Sequence, residues 1–177
     1  MKSRKSSWGA SSRKFKMKDV FCWITLGLAL WSSPLYPQQK KPDDAAQILI
    51  LHRDLLQAHL RNDAQGVLAA EPGQIVVVSR GEVLFPSKAE RLAQYREYLA
   101  DAEFSEYRDL IEPLVRVSQD GTLGWLIVQV KIAGNQLDGQ GGKKAFDSVW
   151  AWIELYEKRD GRWFRVGEVS NAKPSGS

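Results

Sequence analysis

The sequence predicts an α+β fold in which a curved antiparallel sheet wraps over three N-terminal helices. Apolar residues recur at helical spacing between residues 44 and 61. Further along, Asp-Gly pairs at 120–121 and 160–161 separate segments in which apolar and polar residues alternate, and this pattern is a strong hairpin signal. These segments exceed the usual strand of about five or six residues, and such long strands tend to bend. A bent sheet has a concave face, so the pattern favours a pocket.

Capping residues mark the predicted helices. Asp43 or Asp44 can cap the first helix, and the Asn-Asp pair at 62–63 ends it. Ser87 is followed three residues later by Glu90, which forms a capping box for the third helix. The predicted helices are Asp44 to about Arg61, a short one within 63–70, and residues 87 to about 100.

The rest of the chain alternates between strands and turns. Pro113 lacks a backbone donor and therefore marks an edge or a bulge within a long, bent strand. Residues 135–144 are polar and rich in glycine, and they predict a loop. The predicted strands are 74–79, 83–86, 104–118, 122–134, 145–158 and 162–171.

The positive charge belongs to the N-terminal segment rather than to the predicted domain. The 177 residues carry a formal net charge of +4, but residues 1–16 alone hold six basic residues and no acidic one. From residue 40 onward, 18 Lys and Arg face 20 Asp and Glu. A nucleic-acid-binding domain needs a basic face of its own, so nucleic acid is not an expected partner. We expect one domain over 44–173, after a linker at 40–43 and before a tail at 174–177.

Residues 1–39 are predicted to be a targeting segment. A basic stretch precedes residues 20–31, which carry no charge and are too few to span a membrane comfortably. Met17 offers an alternative start that gives a signal peptide of ordinary length. The sequence thus predicts an exported protein, periplasmic or secreted; the alternative is an uncleaved leader that anchors the domain to a membrane. Cys22, the chain's one cysteine, lies in this leader, so the domain has no disulfide and no thiolate ligand for a metal.

Both histidines of the chain fall on the apolar side of the first helix. At about 100° per residue, His52 and His59 point inward with the leucines. In one interpretation they line a cavity and meet a ligand, with pKa values near neutrality. In the other, which we favour for each taken singly, they bond to a backbone carbonyl or a core carboxylate. About 10 Å of helix separates them, which is too far for joint ligation, so no metal site is predicted.

Aromatic and acidic residues provide further candidates. Trp152 shares one strand face with Trp150, Glu154 and Tyr156, and this large amphipathic face suits a pocket, a dimer interface or a wide core. Carboxylates on a concave apolar face could move protons, whereas on the outer face they are solvated or ion-paired. Arg165 is a candidate ion-pair partner for Glu168, and Lys131 for Asp147 or Glu154.

The order of elements resembles a known superfamily. The motifs are ILILHRDLLQAHLRND in the first helix, QIVVVSRGE in the early hairpin, and AWIELYEKRDGRWFRVGEVSN at the end. Together, over 44–173, they resemble the nuclear transport factor 2-like superfamily and its SnoaL-like bacterial branch. The resemblance implies a cone-shaped sheet wrapped on helices, a pocket at the open end, and dimers formed through the sheet.

The same resemblance leaves the activity open. Some members are isomerases, dehydratases or cyclases acting on small apolar substrates, and others bind without catalysis. Ketosteroid isomerase relatives use a carboxylate base with a Tyr and a protonated Asp, and that trio has no identifiable counterpart here.

We therefore predict an exported, non-catalytic domain with a pocket for a small, largely apolar molecule. The alternative is a lyase or isomerase of the SnoaL or ketosteroid isomerase type, using a His or a carboxylate for proton transfer. We expect no cofactor, no metal, no nucleic acid, and a homodimer through the sheet. The candidate ligand-binding residues are His52, His59, Tyr95, Trp125, Trp152, Glu154 and Glu168.

Overall fold

The computed structural model describes residues 43–137 and 141–173. The predicted leader, its signal peptide, and the tail at 174–177 lie outside these residues, and so does most of the predicted linker. Along the chain the elements are α1 Asp44–Leu60, α2 Ala64–Val67, β1 Val76–Ser79, β2 Glu82–Leu84, α3 Lys88–Ala100, β3 Ala102–Asp109, β4 Leu114–Val117, β5 Leu123–Leu137, β6 Lys143–Arg159 and β7 Arg162–Ala172. The predicted α+β class is confirmed.

The helices begin where the capping signals placed them. The Asp43 side chain accepts a hydrogen bond from the Ala46 amide at 2.7 Å and so caps α1. The predicted capping box of α3 is present, because Ser87 and Glu90 bond to each other's backbone amides. After α1, Asn62 adopts a positive φ of 54° and turns the chain toward α2. Among the described residues, no helix has the length and apolar character to cross a bilayer.

The seven strands form one open, mixed sheet in the order β2-β1-β7-β6-β5-β3, with β4 also paired to β5. The predicted antiparallel meander holds for β5, β6 and β7. In contrast, β1 pairs with β7 in parallel, an arrangement that was not predicted from the sequence. Strands so far apart in the chain are not joined by a hairpin turn, so no local sequence pattern predicts that they pair. Pro113 lies between β3 and β4, where the predicted long strand divides.

The β5–β6 hairpin is longer than predicted. Residues 135–137 and 143–144 were expected in a loop, yet Asn135 pairs with Ala145 and Leu137 with Lys143. Their polar composition suggested a loop, but the exposed end of a hairpin can continue its backbone ladder without apolar side chains. The loop prediction was therefore too wide at both ends.

The core lies between α1 and the inner face of the sheet. Leu126, Val128, Val130 and Ile132 alternate inward along β5 and are buried against the apolar side of α1. Helix and strand approach closely at Gly124, where an added Cβ would lie 2.6 Å from the Ile48 side chain. The residues that alternate with these four point outward, so the two faces of the sheet have different roles.

Candidate functional site

A cavity of about 420 Å³ lies between α1, α3 and the inner face of the sheet. Aromatic rings make up much of its wall, and aliphatic side chains from α1 and β5 add to it. Charged side chains complete the lining. The lining residues are Leu55, His59, Arg80, Arg91, Gln94, Tyr95, Tyr98, Tyr107, Ile132, Trp150, Trp152, Arg165, Glu168 and Ser170.

His59 belongs to the cavity wall and is neutral. Its Nδ1 lies 2.9 Å from the Leu55 carbonyl oxygen, to which it donates. The imidazole stacks on Tyr107, with ring centroids 4.3 Å apart, and meets Tyr95 edge-on at 5.8 Å. Burial lowers the pKa of His59 to about 4, although the bond to Leu55 partly opposes this shift. With Nδ1 protonated, Nε2 carries a lone pair and has no hydrogen-bond partner among the described residues.

His52, two turns earlier on α1, is sealed and charged. Its side chain is 0% exposed, and its Nε2 lies 3.0 Å from Asp109 Oδ1. Its Nδ1 lies 3.5 Å from Glu154 Oε1, which is an ion-pair distance without the geometry of a hydrogen bond. Burial alone would lower the pKa of His52, but the two carboxylates outweigh burial and raise it to about 9. His52 therefore holds a proton permanently near neutral pH.

Glu154 on β6 is the buried counter-charge. It accepts hydrogen bonds from Trp152 Nε1 at 2.8 Å and from the Tyr156 hydroxyl, and Arg165 Nη1 lies 3.8 Å away. Burial alone would raise the pKa of Glu154, yet His52 and Arg165 hold it at about 2. A carboxylate so strongly stabilised in its ionised form is a weak base.

A second set of ion pairs connects Glu154 to α3. Arg91 forms a two-point contact with Glu71, at 3.0 and 2.8 Å, and also reaches Glu168 at 3.2 Å. Arg165 bonds to the same Glu71 and lies 3.5 Å from Glu168. Burial alone would lower the pKa of Arg165, but the surrounding carboxylates raise it. We call the seven groups Asp109, His52, Glu154, Arg165, Glu71, Arg91 and Glu168 the ionic network.

The structure separates the predicted ligand-binding residues into three groups. His59, Tyr95, Trp152 and Glu168 line the cavity. His52 and Glu154 belong to the ionic network behind the wall, and the His52 ring lies 6.4 Å from that of Trp152.

Trp125 forms the third group. It lies on the outer face of the sheet, 37% exposed, because its neighbour Leu126 takes the inward position on β5. It is therefore away from the cavity, and we leave it out of the site.

Several residues of the site were not predicted from the sequence. Arg91, Glu71 and Tyr107 were not singled out, and Arg165 was named only as a partner for Glu168, which it is. Alternation in β7 could have placed Arg165 on the buried face with Trp163. No comparable signal exists for Arg91, because an arginine in a helix usually faces solvent. Within residues 43–137 and 141–173, no group of His, Cys, Asp or Glu is arranged to hold a metal ion.

No protein-family model matches the chain, and no curated protein matches it either. Solved structures do. A putative dehydratase of the NTF2-like family from Streptomyces avermitilis matches with TM-score 0.60 and 15% identity, over 76% of this chain and 100% of that one. A ketosteroid isomerase-like protein from Erwinia carotovora atroseptica matches with TM-score 0.57 and 14% identity, over 76% of this chain and 100% of that one.

A third match is a putative Ca/calmodulin-dependent kinase II association domain from Exiguobacterium sibiricum. Its TM-score is 0.60 at 12% identity, over 77% of this chain and 98% of that one. All three solved structures share the arrangement of helices and sheet seen in this chain. The nuclear transport factor 2-like fold predicted from the sequence is confirmed.

Proposed function

We propose that the domain binds a small, largely apolar molecule in this cavity without transforming it. The observation that carries the proposal is the wall itself, in which His59, three tyrosines and two tryptophans enclose about 420 Å³. That volume falls within the range of roughly 300–1,000 Å³ common for small-molecule sites. Flat rings in such a wall favour a ligand that is itself flat or cyclic.

Binding is favoured over proton transfer because neither histidine has a pKa near neutrality. A general acid or base works best when its pKa lies near the operating pH. His59 has a pKa of about 4, while His52 at about 9 and Glu154 at about 2 lie behind the wall and hold each other charged. Each of these three groups is fixed in one protonation state near pH 7.

A lyase or isomerase is the second candidate, and one observation favours it. His59 presents its unpaired Nε2 on the wall, where it could accept a proton from a bound carbon acid. Similar solved structures include a putative dehydratase and a ketosteroid isomerase-like protein. Against this, a pKa of about 4 makes His59 a weak base.

Ligand-observed saturation-transfer NMR with naphthalene tests the binding proposal in the full chain. We expect a signal in the wild type that Ser170→Phe abolishes, because Ser170 lines the cavity and the larger ring would fill it. The matched control is Val169→Phe, one residue away on the outer face, which should leave the signal intact. No signal in the wild type, or an unchanged one in Ser170→Phe, would refute the proposal.

The catalytic alternative has its own test. A 2-tetralone probe in D₂O exchanges its α-protons slowly, and NMR follows the loss of their signals. We expect the wild type and His59→Asn to exchange at equal rates. Faster exchange that depends on His59 would instead establish proton transfer.

We also propose that the domain is exported. The support is the basic stretch followed by uncharged residues 20–31 near the N-terminus. Expression with the native leader should yield protein outside the cytoplasm, and mass spectrometry of that protein would locate the cleavage. A full-length product retained in the membrane would favour the anchored alternative.

Dimerisation through the outer face of the sheet is a further proposal. Leu123, Trp125, Leu155 and Val169 leave apolar side chains exposed there. Sedimentation equilibrium should give a dimer that Trp125→Lys dissociates, and a wild-type monomer would exclude it.

A further inference from the structure

Three polar atoms on the cavity wall have no hydrogen-bond partner within residues 43–137 and 141–173. The hydroxyls of Tyr95 and Tyr107 form no hydrogen bond with any described residue, and neither does His59 Nε2. Both tyrosine rings contact the His59 ring, with centroids 5.8 and 4.3 Å away. Polar groups enclosed in a protein are almost always hydrogen-bonded, so this wall offers a polar binding point inside an otherwise aromatic cavity.

The protonation states of these groups determine what they can bind. Burial and the nearby Glu168 raise the pKa of Tyr95 to about 12, and burial raises the pKa of Tyr107 well above its usual value. Both hydroxyls therefore remain protonated and can donate. His59 is neutral and uses Nδ1 for Leu55, so its Nε2 can only accept. The site thus combines donors with an acceptor.

This combination disfavours charged ligands. A carboxylate would meet the lone pair of His59 and the charge of Glu168, while Arg91 and Arg165 are already paired with Glu71 and Glu168. A cation would face the guanidinium groups of Arg91 and Arg165 on the same wall. In addition, either charge would lose its hydration on entering a largely aromatic cavity.

Among neutral oxygen groups, only a hydroxyl uses both capacities of the site. A ketone or an ether can accept from a tyrosine, but it has no proton to give to His59. An alcohol or a phenol accepts from Tyr95 or Tyr107 and donates to His59 Nε2. We propose that the ligand is a neutral ring compound bearing a hydroxyl group, bound through these three side chains. This inference rests on the proposed function, because it identifies the chemical class of the molecule in the same cavity.

Four naphthalene probes test the inference in the full chain at pH 7. Calorimetric titration compares 2-naphthol with 2-methoxynaphthalene, naphthalene and 2-naphthoate. Because a neutral hydrogen bond contributes about 1 kcal/mol, we expect 2-naphthol to bind about five-fold tighter than the methoxy compound and more than ten-fold tighter than naphthalene. The naphthoate should bind most weakly.

Variants test whether His59, Tyr95 and Tyr107 cause the preference for a hydroxyl group. His59→Asn keeps a donor for Leu55 but loses the Nε2 acceptor, and it should remove the advantage of 2-naphthol over the methoxy compound. Tyr95→Phe or Tyr107→Phe should weaken 2-naphthol about five-fold and leave naphthalene unchanged. Ser118→Ala is the control, because it removes a hydroxyl from an exposed turn that does not line the cavity.

The outcomes separate the two proposals. If naphthalene does not bind at all, the proposed function fails. If naphthalene binds but 2-naphthol has no advantage, or keeps its advantage in His59→Asn and in both Tyr→Phe variants, the hydroxyl inference alone is wrong. Tightest binding of the naphthoate would also overturn it, and would indicate an anion-binding cavity.

Discussion

His52 and His59 lie on the same face of the same helix, and the structure gives them opposite states. Their side chains are 0% and 3% exposed, so the degree of burial is nearly the same. Yet the pKa of His52 is raised to about 9, whereas that of His59 is lowered to about 4. The difference comes from what the sheet places opposite each ring: carboxylates for His52, aromatic rings for His59.

The comparison shows that burial alone does not determine the charge of a histidine. Desolvation acts on both rings and favours the neutral form. At His52, two carboxylates supply enough stabilisation to reverse this effect. At His59, the Leu55 carbonyl, the stacked Tyr107 ring and the edge-on Tyr95 ring do not, so burial decides. As a result, the middle of α1 carries a fixed ion cluster, and its C-terminal end presents a neutral hydrogen-bond acceptor to the cavity.

The largest expected effect comes from removing the charge that holds His52. Glu154→Gln preserves the shape of the side chain but leaves His52 and Arg165 without their shared carboxylate. Breaking a buried ion pair from one side typically costs about 3–5 kcal/mol. Because Asp109 stays beside His52, and Glu71 and Glu168 stay beside Arg165, we place the cost toward the lower end of that range. We expect a loss of that size in the free energy of unfolding, measured by urea denaturation followed by tryptophan fluorescence.

His52 should respond in the same variant. Without Glu154 its pKa should fall below about 9, which NMR of the imidazole protons would detect. An unchanged pKa together with a loss below about 1 kcal/mol would show that Glu154 does not stabilise the charged ring. If the variant does not fold, the wild-type titration of His52 still decides whether this histidine is charged at neutral pH.

The two histidines should also shape opposite sides of the stability–pH profile. The folded-state pKa of His52 lies above the unfolded value of 6.5, so its stabilisation is complete below pH 6.5 and is lost as the pH rises through about 9. For His59 the folded-state pKa lies below 6.5, so stability is retained above pH 6.5 and lost as the pH falls toward about 4. Each shift corresponds to about 3 kcal/mol.

Urea denaturation at a series of pH values between 4 and 10 measures both sides. His52→Gln should flatten the alkaline side only, and His59→Asn the acidic side only. The slope is the readout, because either variant also changes stability at every pH. If His52→Gln flattened the acidic side, or if neither variant changed either slope, the protonation states assigned to the two histidines would be wrong.

Two periodicities in the sequence predicted much of this arrangement. Helical spacing placed both histidines inward, and period-two alternation placed Trp150, Trp152 and Glu154 on one face of β6. Both placements agree with the structure. Local signals also located the helix starts, because a cap and its amide lie within a few residues of each other. Ser87 with Glu90 is the clearest case.

The protonation states of the two histidines could not be predicted, because the side chains that contact them are distant in sequence. Asp109 contacts His52 across 57 positions, and Glu168 reaches Arg91 across 77. Periodicity gives the direction of a side chain but not the element opposite. The parallel pairing of β1 with β7 has the same cause, and it brings Arg80 and Glu168 to the same cavity.

The smallest expected effect provides the control for Glu154, on the same strand. Asp147 is 68% exposed on its side chain and pairs with Lys131, the partner proposed from the sequence. Exposed pairs contribute little, because water and salt screen the charges and ordering two flexible side chains costs entropy. Asp147→Asn should therefore lower the free energy of unfolding by less than about 0.5 kcal/mol, measured under the conditions used for Glu154→Gln. A loss comparable to that of Glu154→Gln would mean that charge on β6, rather than burial beside His52, determines the effect.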